Sequence, residues 1–324
     1  MIPANLASST VYCEQFSKLN EQFFITHCCF IPSHVNNAYL FPTSKFILIS
    51  GNLQLDHDLN LDWGPFEVLF EKNPNEISGL IVIGDLIING DLLNTDIDNG
   101  PLLMVRGNLV ANNLYSGGST IIVGRDASVR DLVFGNYNHG ELIVMNDLHV
   151  GMLVMRDHCF SAEKIQATHA VDDDTDLEFD SEDASENLQR INDRLEVAIQ
   201  DVDELGSYLS QRTSILKPGS RNTHKLKPTV FPTTAEEVIL FVQTQQRVFS
   251  GDIPLQLHQD RDFMLRLCAM HPDIFSGLKN RWHLSADFMA AALDSGSLEV
   301  SNYIKFVEDQ STRQQLINKF AKLQ

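Results

Sequence analysis

The chain has 324 residues, of which 43% are hydrophobic and 21% are charged, as in ordinary globular proteins. It contains 24 Lys and Arg against 43 Asp and Glu, giving a formal net charge of −19. Such a surface repels phosphate backbones and anionic lipid, so we expect neither nucleic acid nor a membrane as partner. A basic protein is the better expectation.

Processing signals and cysteine chemistry are not evident. No apolar run approaches the roughly 18 residues of a membrane-spanning helix, and residues 1–20 lack the basic-then-apolar pattern of a secretory signal. The five cysteines are an odd number and form no Cys-x-x-Cys pair, so we expect no disulfide framework or structural zinc. These features predict a reduced, soluble, cytoplasmic protein without a cofactor.

After an expected N-terminal cap over residues 1–44, one short pattern recurs within residues 45–170. It reads apolar, any, small or polar, Asp or Asn, Leu or Ala, any, apolar. Its five copies are residues 49–55, 82–88, 105–111, 123–129 and 144–150. The Asp or Asn falls at positions 52, 85, 108, 126 and 147, so the intervals are 33, 23, 18 and 21 residues.

This repeat predicts a β-solenoid, also called a parallel β-helix. Alternating Val, Ile and Leu make short half-buried strands, and the Gly-Asp or Gly-Asn step makes a tight corner. One such coil cannot bury its inner face alone, but stacked coils can. The alternative is a set of hairpins in an antiparallel sandwich, which Gly-Asp corners also suit. The long interval before Asp85 is expected to hold a loop insertion.

With its Gly-Asp-Leu and Gly-Asn-Leu corners, the stretch over residues 45–160 resembles the bactofilin-like, polymer-forming cytoskeletal β-solenoid proteins of bacteria. The resemblance implies a solenoid and self-assembly through its ends. The irregular coil lengths and the long helical extension depart from that family.

Residues 171–187 are expected to form an acidic linker. Residues 172–186 hold nine acids and no base, a block that stays solvated unless a basic surface neutralises it. Alternatively, the segment binds a cationic groove, with an aromatic anchor among steering carboxylates. The candidate partner-binding residues are Asp172, Asp173, Asp174, Asp176, Glu178, Phe179, Asp180, Glu182 and Asp183.

Residues 188–228 are predicted to be a helix followed by a basic, Pro-marked linker. Apolar residues at steps of three and four between Leu188 and Leu209 predict an amphipathic helix packed on its own protein, with a coiled-coil dimer as the alternative. Lys217, Arg221, Lys225 and Lys227 follow without an acid, so this linker is also a candidate internal counter-charge for the acidic block.

Residues 229–324 are predicted to be an α-helical repeat domain. Three similar segments start 25 residues apart, each with a capping residue before it and acids in its first turn. They begin at Glu237, Asp262 and Asp287. Such arrays typically bind partners.

One polar cluster could carry chemistry. In coils of about 20 residues, positions near 137 and 157 lie on adjacent coils. Tyr137, His139, Asp157 and His158 could therefore converge as an acid/base set or a metal site. The alternative is an exposed turn, since Asn-His-Gly is a turn former.

Three functions follow from these features. The leading one is a non-enzymatic binding module, resembling in type the immunity proteins that neutralise basic bacterial toxins by occluding a cationic active site. The second is a self-assembling scaffold, and the third is a glycan-active enzyme using His139, Asp157 and His158. Filaments are expected of the scaffold alone, and a homodimer is an alternative for the binding module.

Overall fold

The structure is a computed structural model that describes residues 8–12, 45–49, 51–69, 77–137, 139–172, 182–209, 214–244, 253–254, 257, 260–270 and 310–320. Its strands are β1 Ser8–Tyr12, β2 Lys45–Ile49, β3 Leu53–Leu55, β4 Leu59–Asn60, β5 Gly79–Val82, β6 Leu86–Ile88, β7 Leu92–Leu93, β8 Leu102–Val105, β9 Leu109–Ala111, β10 Leu114–Ser116, β11 Thr120–Val123, β12 Ala127–Asn136, β13 Glu141–Val144, β14 Asp147–Arg156, β15 Cys159–Ser161 and β16 Lys164–Asp172. Its helices are α1 Trp63–Leu69, α2 Glu182–Asn192, α3 Glu204–Leu209, α4 Ala235–Thr244, α5 Arg261–Met270 and α6 Gln310–Phe320.

Residues 79–171 wind through about four turns of a parallel β-solenoid, and β2, β3 and β4 extend it by parallel pairing. Face A stacks β2, β5, β8, β11, β13 and β15. Face B begins with β3, β6 and β9, and face C with β4, β7 and β10; β12, β14 and β16 continue from face B into face C. The parallel pairing contradicts the antiparallel sandwich.

The repeated Asp or Asn forms a hydrogen-bonded ladder at the corner between faces A and B. Each side-chain oxygen Oδ1 accepts the backbone N–H of the corresponding residue one coil later. The pairs are Asn52 with Asp85 (2.9 Å), Asp85 with Asn108 (2.7 Å), Asn108 with Asp126 (3.1 Å) and Asp126 with Asp147 (3.2 Å). A Cβ on Gly84 would collide with Oδ1 of Asn52, which explains the glycine before the ladder residue.

A second ladder lies at the corner between faces B and C. Asp58 Oδ1 accepts the N–H of Asp91 at 2.8 Å, and Asp91 Oδ1 accepts the N–H of Asn113 at 3.1 Å. The long interval of 33 residues between Asn52 and Asp85 does not alter either ladder corner. Its extra residues include α1, which is inserted where face C turns into face A of the next coil. The expected insertion is therefore found.

Two apolar cores stabilise this part of the chain. The inner core fills the coils with aliphatic side chains such as Leu80, Leu103 and Ile121. The second core lies on the outer side of face C, where Phe134 and Val154 pack against residues of 182–216.

The helical seam predicted from Leu188 to Leu209 packs on its own solenoid but is not continuous. Ile191 ends up buried in the second core together with Leu205. Between α2 and α3, the Asn192 side chain bonds both the N–H and the C=O of Ile199, at 2.8 and 2.9 Å. These bonds close a loop that replaces the middle of the predicted helix.

The basic segment predicted as a linker lies against the solenoid. Buried Asp131 accepts from the Ser214 hydroxyl at 2.9 Å and from the N–H of Ile215 at 3.0 Å. Nε of Arg221 lies 3.7 Å from the same carboxylate, and its Nη2 donates to Glu196 at 2.7 Å. Arg221 therefore contacts acids of the solenoid and of its covering segment, while a counter-charge to the acidic block at 172–186 stays a prediction.

Residues from Val230 onward belong to a second compact unit. Its α4 and α5 correspond to two of the three predicted repeat helices, whereas the third, over 285–292, lies outside the described residues. Thr234 and Glu237 form the expected cap, since Glu237 Oε2 accepts the Thr234 N–H and Thr234 Oγ1 accepts the Glu237 N–H. No described helix is long and apolar enough to cross a membrane.

We expect Asn108→Ala to lower the free energy of unfolding by about 2–3 kcal/mol. The substitution removes the ladder acceptor for Asp126 and the Nδ2 donor to the carbonyl of Lys227, both at a buried position. Urea unfolding followed by circular dichroism measures the change. Asn112→Ala, at a half-buried corner, is the control; equal losses in both variants would contradict the ladder.

The pH dependence of stability should change in Asp91→Asn. Burial, and secondarily the charge of Asp58, raises the pKa of Asp91 from 3.8 to about 6. The folded chain therefore holds this proton more tightly than the unfolded chain, and stability falls as pH rises from 3.8 through about 6. We expect the variant to lack this fall and to gain at most about 3 kcal/mol at pH 7.5. Urea titrations at pH 4 and 7.5 measure it, with Asp193→Asn, an exposed acid, as the control.

Candidate functional site

Residues of the predicted polar cluster lie where face C turns into face A of the next coil. Tyr137, His139 and Gly140 occupy this corner in one coil, and Asp157 and His158 occupy it in the next. The rings of Tyr137 and His139 meet edge to face with centroids 4.8 Å apart. Nδ1 of His158 lies 2.6 Å from the carbonyl oxygen of Tyr137.

Two residues at this corner have left-handed backbone conformations. Tyr137 has φ 75° and Asp157 has φ 46°, and they follow the paired residues Asn136 and Arg156. A bulky tyrosine rarely adopts this conformation, so neighbouring contacts must stabilise it. The N–H of Tyr137 donates to the carbonyl of Arg156 at 2.9 Å, and its carbonyl accepts from His158.

His158 links three coils through its two ring nitrogens. Because a carbonyl only accepts, Nδ1 carries the proton toward Tyr137, and Nε2 accepts the hydroxyl proton of Ser116 at 3.0 Å. The ring lies over Gly135, since a Cβ there would be 2.7 Å from Cδ2 of His158. Burial lowers the pKa of His158, against the opposing effects of the Tyr137 carbonyl, Glu141 and Asp157. The neutral ring is thus favoured.

Ser116 is the residue that the sequence analysis missed. It stands 42 positions before His158, and only the coil register, which pairs Ser116 with Gly135, brings the two together. A serine bonded to a histidine nitrogen has the form of a nucleophile and its base. Ser116 has 0% of its surface exposed, however, so the pair as it stands connects coils and cannot reach a substrate.

The outer side of the corner is an exposed surface, here called the corner surface and formed by Ile97, Asp98, Tyr137, His139 and Asp157. Nδ1 of His139 lies 3.3 Å from Oδ1 of Asp98, with 50% and 64% of these side chains exposed. Tyr137 is 38% exposed and Ile97 36%. Two apolar side chains are thus bordered by carboxylates.

The turn that carries Ile97 and Asp98 is held by its neighbours. Asp96 Oδ1 accepts the N–H groups of Asp98 and Asn99, at 3.0 and 3.2 Å. The carboxylate of Asp62, one coil earlier, accepts from the Thr95 hydroxyl at 2.6 Å. The corner surface is therefore presented on turns with many internal hydrogen bonds.

The acidic partner-binding residues are mostly not placed. Asp172 ends β16, while Asp173, Asp174, Asp176, Glu178, Phe179 and Asp180 lie outside the described residues. Glu182 and Asp183 lie in the first turn of α2. Their role in binding stays a prediction.

A metal site is not formed by the predicted cluster. Within the described ranges, no group of three His, Cys, Asp or Glu side chains is arranged to hold an ion. Comparisons with protein families, curated proteins and solved structures found no match to this chain. The resemblance to bactofilin-like and immunity proteins therefore rests on the solenoid architecture and on charge.

We expect Gly135→Ala to destabilise the solenoid by about 1–3 kcal/mol, because the added Cβ meets the ring of His158 and Sδ of Met155. Removing the ring should relieve part of the strain. Thermal unfolding of Gly135→Ala, His158→Ala and the double variant measures their coupling. Additive losses would show that the ring does not lie over Gly135.

Proposed function

We propose that this chain is a non-enzymatic binding protein that docks a basic protein through the corner surface. The observation that supports the proposal is that exposed Tyr137 packs on His139, whose ring lies 3.3 Å from exposed Asp98, while Ile97 and Asp157 are exposed at the same corner. Protein-binding surfaces commonly combine an aromatic anchor with a polar rim, and the anchor contributes most of the affinity.

Charge supplies the second part of the proposal. A net charge of −19 attracts a cationic partner over distance and orients it before contact. The carboxylates of the corner surface then pair with Lys or Arg side chains of the partner. The polar rim of the contact excludes water from the Tyr137 side chain. Such a complex associates quickly at low salt and more slowly at physiological salt.

The most specific form of this proposal is a cytoplasmic immunity protein that neutralises a basic bacterial toxin by covering its cationic active site. The acidic residues between Asp172 and Asp183 would extend the docking surface to the cleft of the toxin. The chain's own basic segment offers a precedent for such pairing, since Arg221 contacts both Asp131 and Glu196.

A self-assembling scaffold is the second candidate, favoured by the last coil. Among the described strands, β15 pairs only with β13 and β16 only with β14, although Arg190 of α2 donates to the carbonyl of Ala170 on β16. At the other end, β1 covers β2 in antiparallel pairing, whereas β3 and β4 pair only with β6 and β7 among the described strands. Strand edges therefore exist at both ends of the described solenoid, as self-assembly through its ends requires.

Docking through the corner surface predicts that Tyr137→Ala and Asp98→Asn each weaken partner binding. We expect about a tenfold or larger loss for Tyr137→Ala, as for a central anchor, and a slower association for Asp98→Asn. The tagged full chain captures partners from a lysate of its source, and mass spectrometry identifies them. Interferometry then measures association rates in 50 and 150 mM NaCl.

The controls are Ile165→Ala, an exposed apolar residue on the last coil, and Asp193→Asn, an exposed acid outside the corner. The proposal requires a basic captured protein, retained by both controls and lost with Tyr137→Ala. An acidic partner, an association rate indifferent to salt, or equal binding by all variants would contradict it. Filaments in negative-stain images, without a captured protein, would favour the scaffold.

A further inference from the structure

Residues 221–229, here called the strap, run in extended form across the outer side of face B. The strap crosses the coils in reverse order. Asn222 donates its N–H to the carbonyl of Arg130 at 2.7 Å, near the corner with face C. The strap ends where Thr229 donates its N–H to Asp85 Oδ2 at 2.8 Å, two coils before the coil of Arg130.

Between these ends the strap is held mostly through its own backbone carbonyls. Asn108 Nδ2 donates to the carbonyl of Lys227 at 2.9 Å, and the Ser128 hydroxyl donates to the carbonyl of His224 at 3.1 Å. The Asn222 amide also donates to the carbonyl of His149 at 3.0 Å. The strap covers outward side chains of face B, which explains why Ser128 and His149 are buried.

One side-chain contact at the middle of the strap depends on protonation. The rings of His149, on β14, and His224, on the strap, are stacked with centroids 3.7 Å apart and planes 9° from parallel. Neutral imidazoles stack well at this distance. Two imidazolium ions would repel each other strongly there, since no solvent or counter-ion fits between the rings.

Charged groups of both signs lie around the stacked pair. Asp126 precedes β12 and Asp147 begins β14, and both carboxylates act on His149. On the neighbouring strands, the register partners of His149 are the neutral residues Ser128 and Gln166. The strap itself brings further positive charge, from Arg221, Lys225 and Lys227.

We propose that the strap is a pH-gated latch: it is closed while the stacked pair carries at most one proton, and it opens when both His149 and His224 are protonated. Opening exposes the outer side of face B, including Ser128, His149 and the Asp85 carboxylate. The device therefore adds a second, conditional surface that is distinct from the corner surface.

The direction of the effect follows from proton linkage. Burial, and secondarily the charge of His224, lowers the pKa of His149 below its ordinary value of 6.5. The closed strap thus binds fewer protons than the open strap below that pH, so acid favours opening. The opening equilibrium shifts up to tenfold per pH unit for each proton taken up.

Hydrogen–deuterium exchange of the full chain tests the latch. Peptides covering the strap are followed at pH 7.5 and 5.0, with rates corrected for intrinsic exchange, and peptides from β11 and β13 report whether the solenoid stays folded. We expect strap protection at pH 5.0 to be at least tenfold lower than at pH 7.5. We expect β11 and β13 to change much less.

His224→Phe and His149→Phe keep a flat ring in the stack but cannot take up a proton, so each should remove most of the pH response. His169→Phe is the control, because His169 lies on β16 and is not part of the stacked pair. This variant should keep the pH response. Strap protection that is equal at both pH values in the wild-type chain would overturn the proposal. So would an unchanged pH response in both stack variants while β11 stays protected.

Discussion

Buried backbone N–H groups at the corners of the coil are the constraint on which this structure depends. Strands satisfy one another along the three faces, but the chain leaves strand geometry at each corner and needs another acceptor there. An Asp or Asn side chain from the preceding coil supplies it, as Asn108 does for Asp126. The bond joins equivalent positions of successive coils, so it sets the stacking without setting coil length. Insertions such as α1 are thereby tolerated at another corner.

The covering of the faces determines which surfaces can meet a partner. Residues 182–216 cover the outer side of face C, and the strap covers part of face B. On face A, outward residues such as Ile81 and Ile122 are also buried. In the described part of the solenoid, exposed residues lie at the insertion corner and on the first and last coils, as Gln54 and Ile165 show. The candidate functions use the corner and the ends of the solenoid.

The sequence predicted the features that recur and missed those that occur once. The ladder positions were readable because each corner demands the same residue type, with Gly84 and Gly107 beside it. The polar cluster followed from coil length alone. The Ser116–His158 contact did not, because it needs the exact register, including a shift between Val129 and Leu132 in β12. The interruption of the seam helix was also not predicted. It depends on hydrogen bonds from the Asn192 side chain to the backbone of Ile199, which compete with a continuous helix.

Not every carboxylate of this acidic chain is equally available to a cation. Asp131 is buried and already bonded by Ser214, Ile215 and the arginines beside it, so displacing Arg221 would leave a buried charge poorly compensated. Asp98 differs, because its carboxylate and the neighbouring His139 ring are both at least half exposed. An incoming Lys or Arg can replace that contact at little cost in desolvation. The negative charge of the chain is therefore available for binding at the corner surface. There, aromatic and aliphatic side chains lie near exposed carboxylates that are not held in buried contacts as Asp131 is.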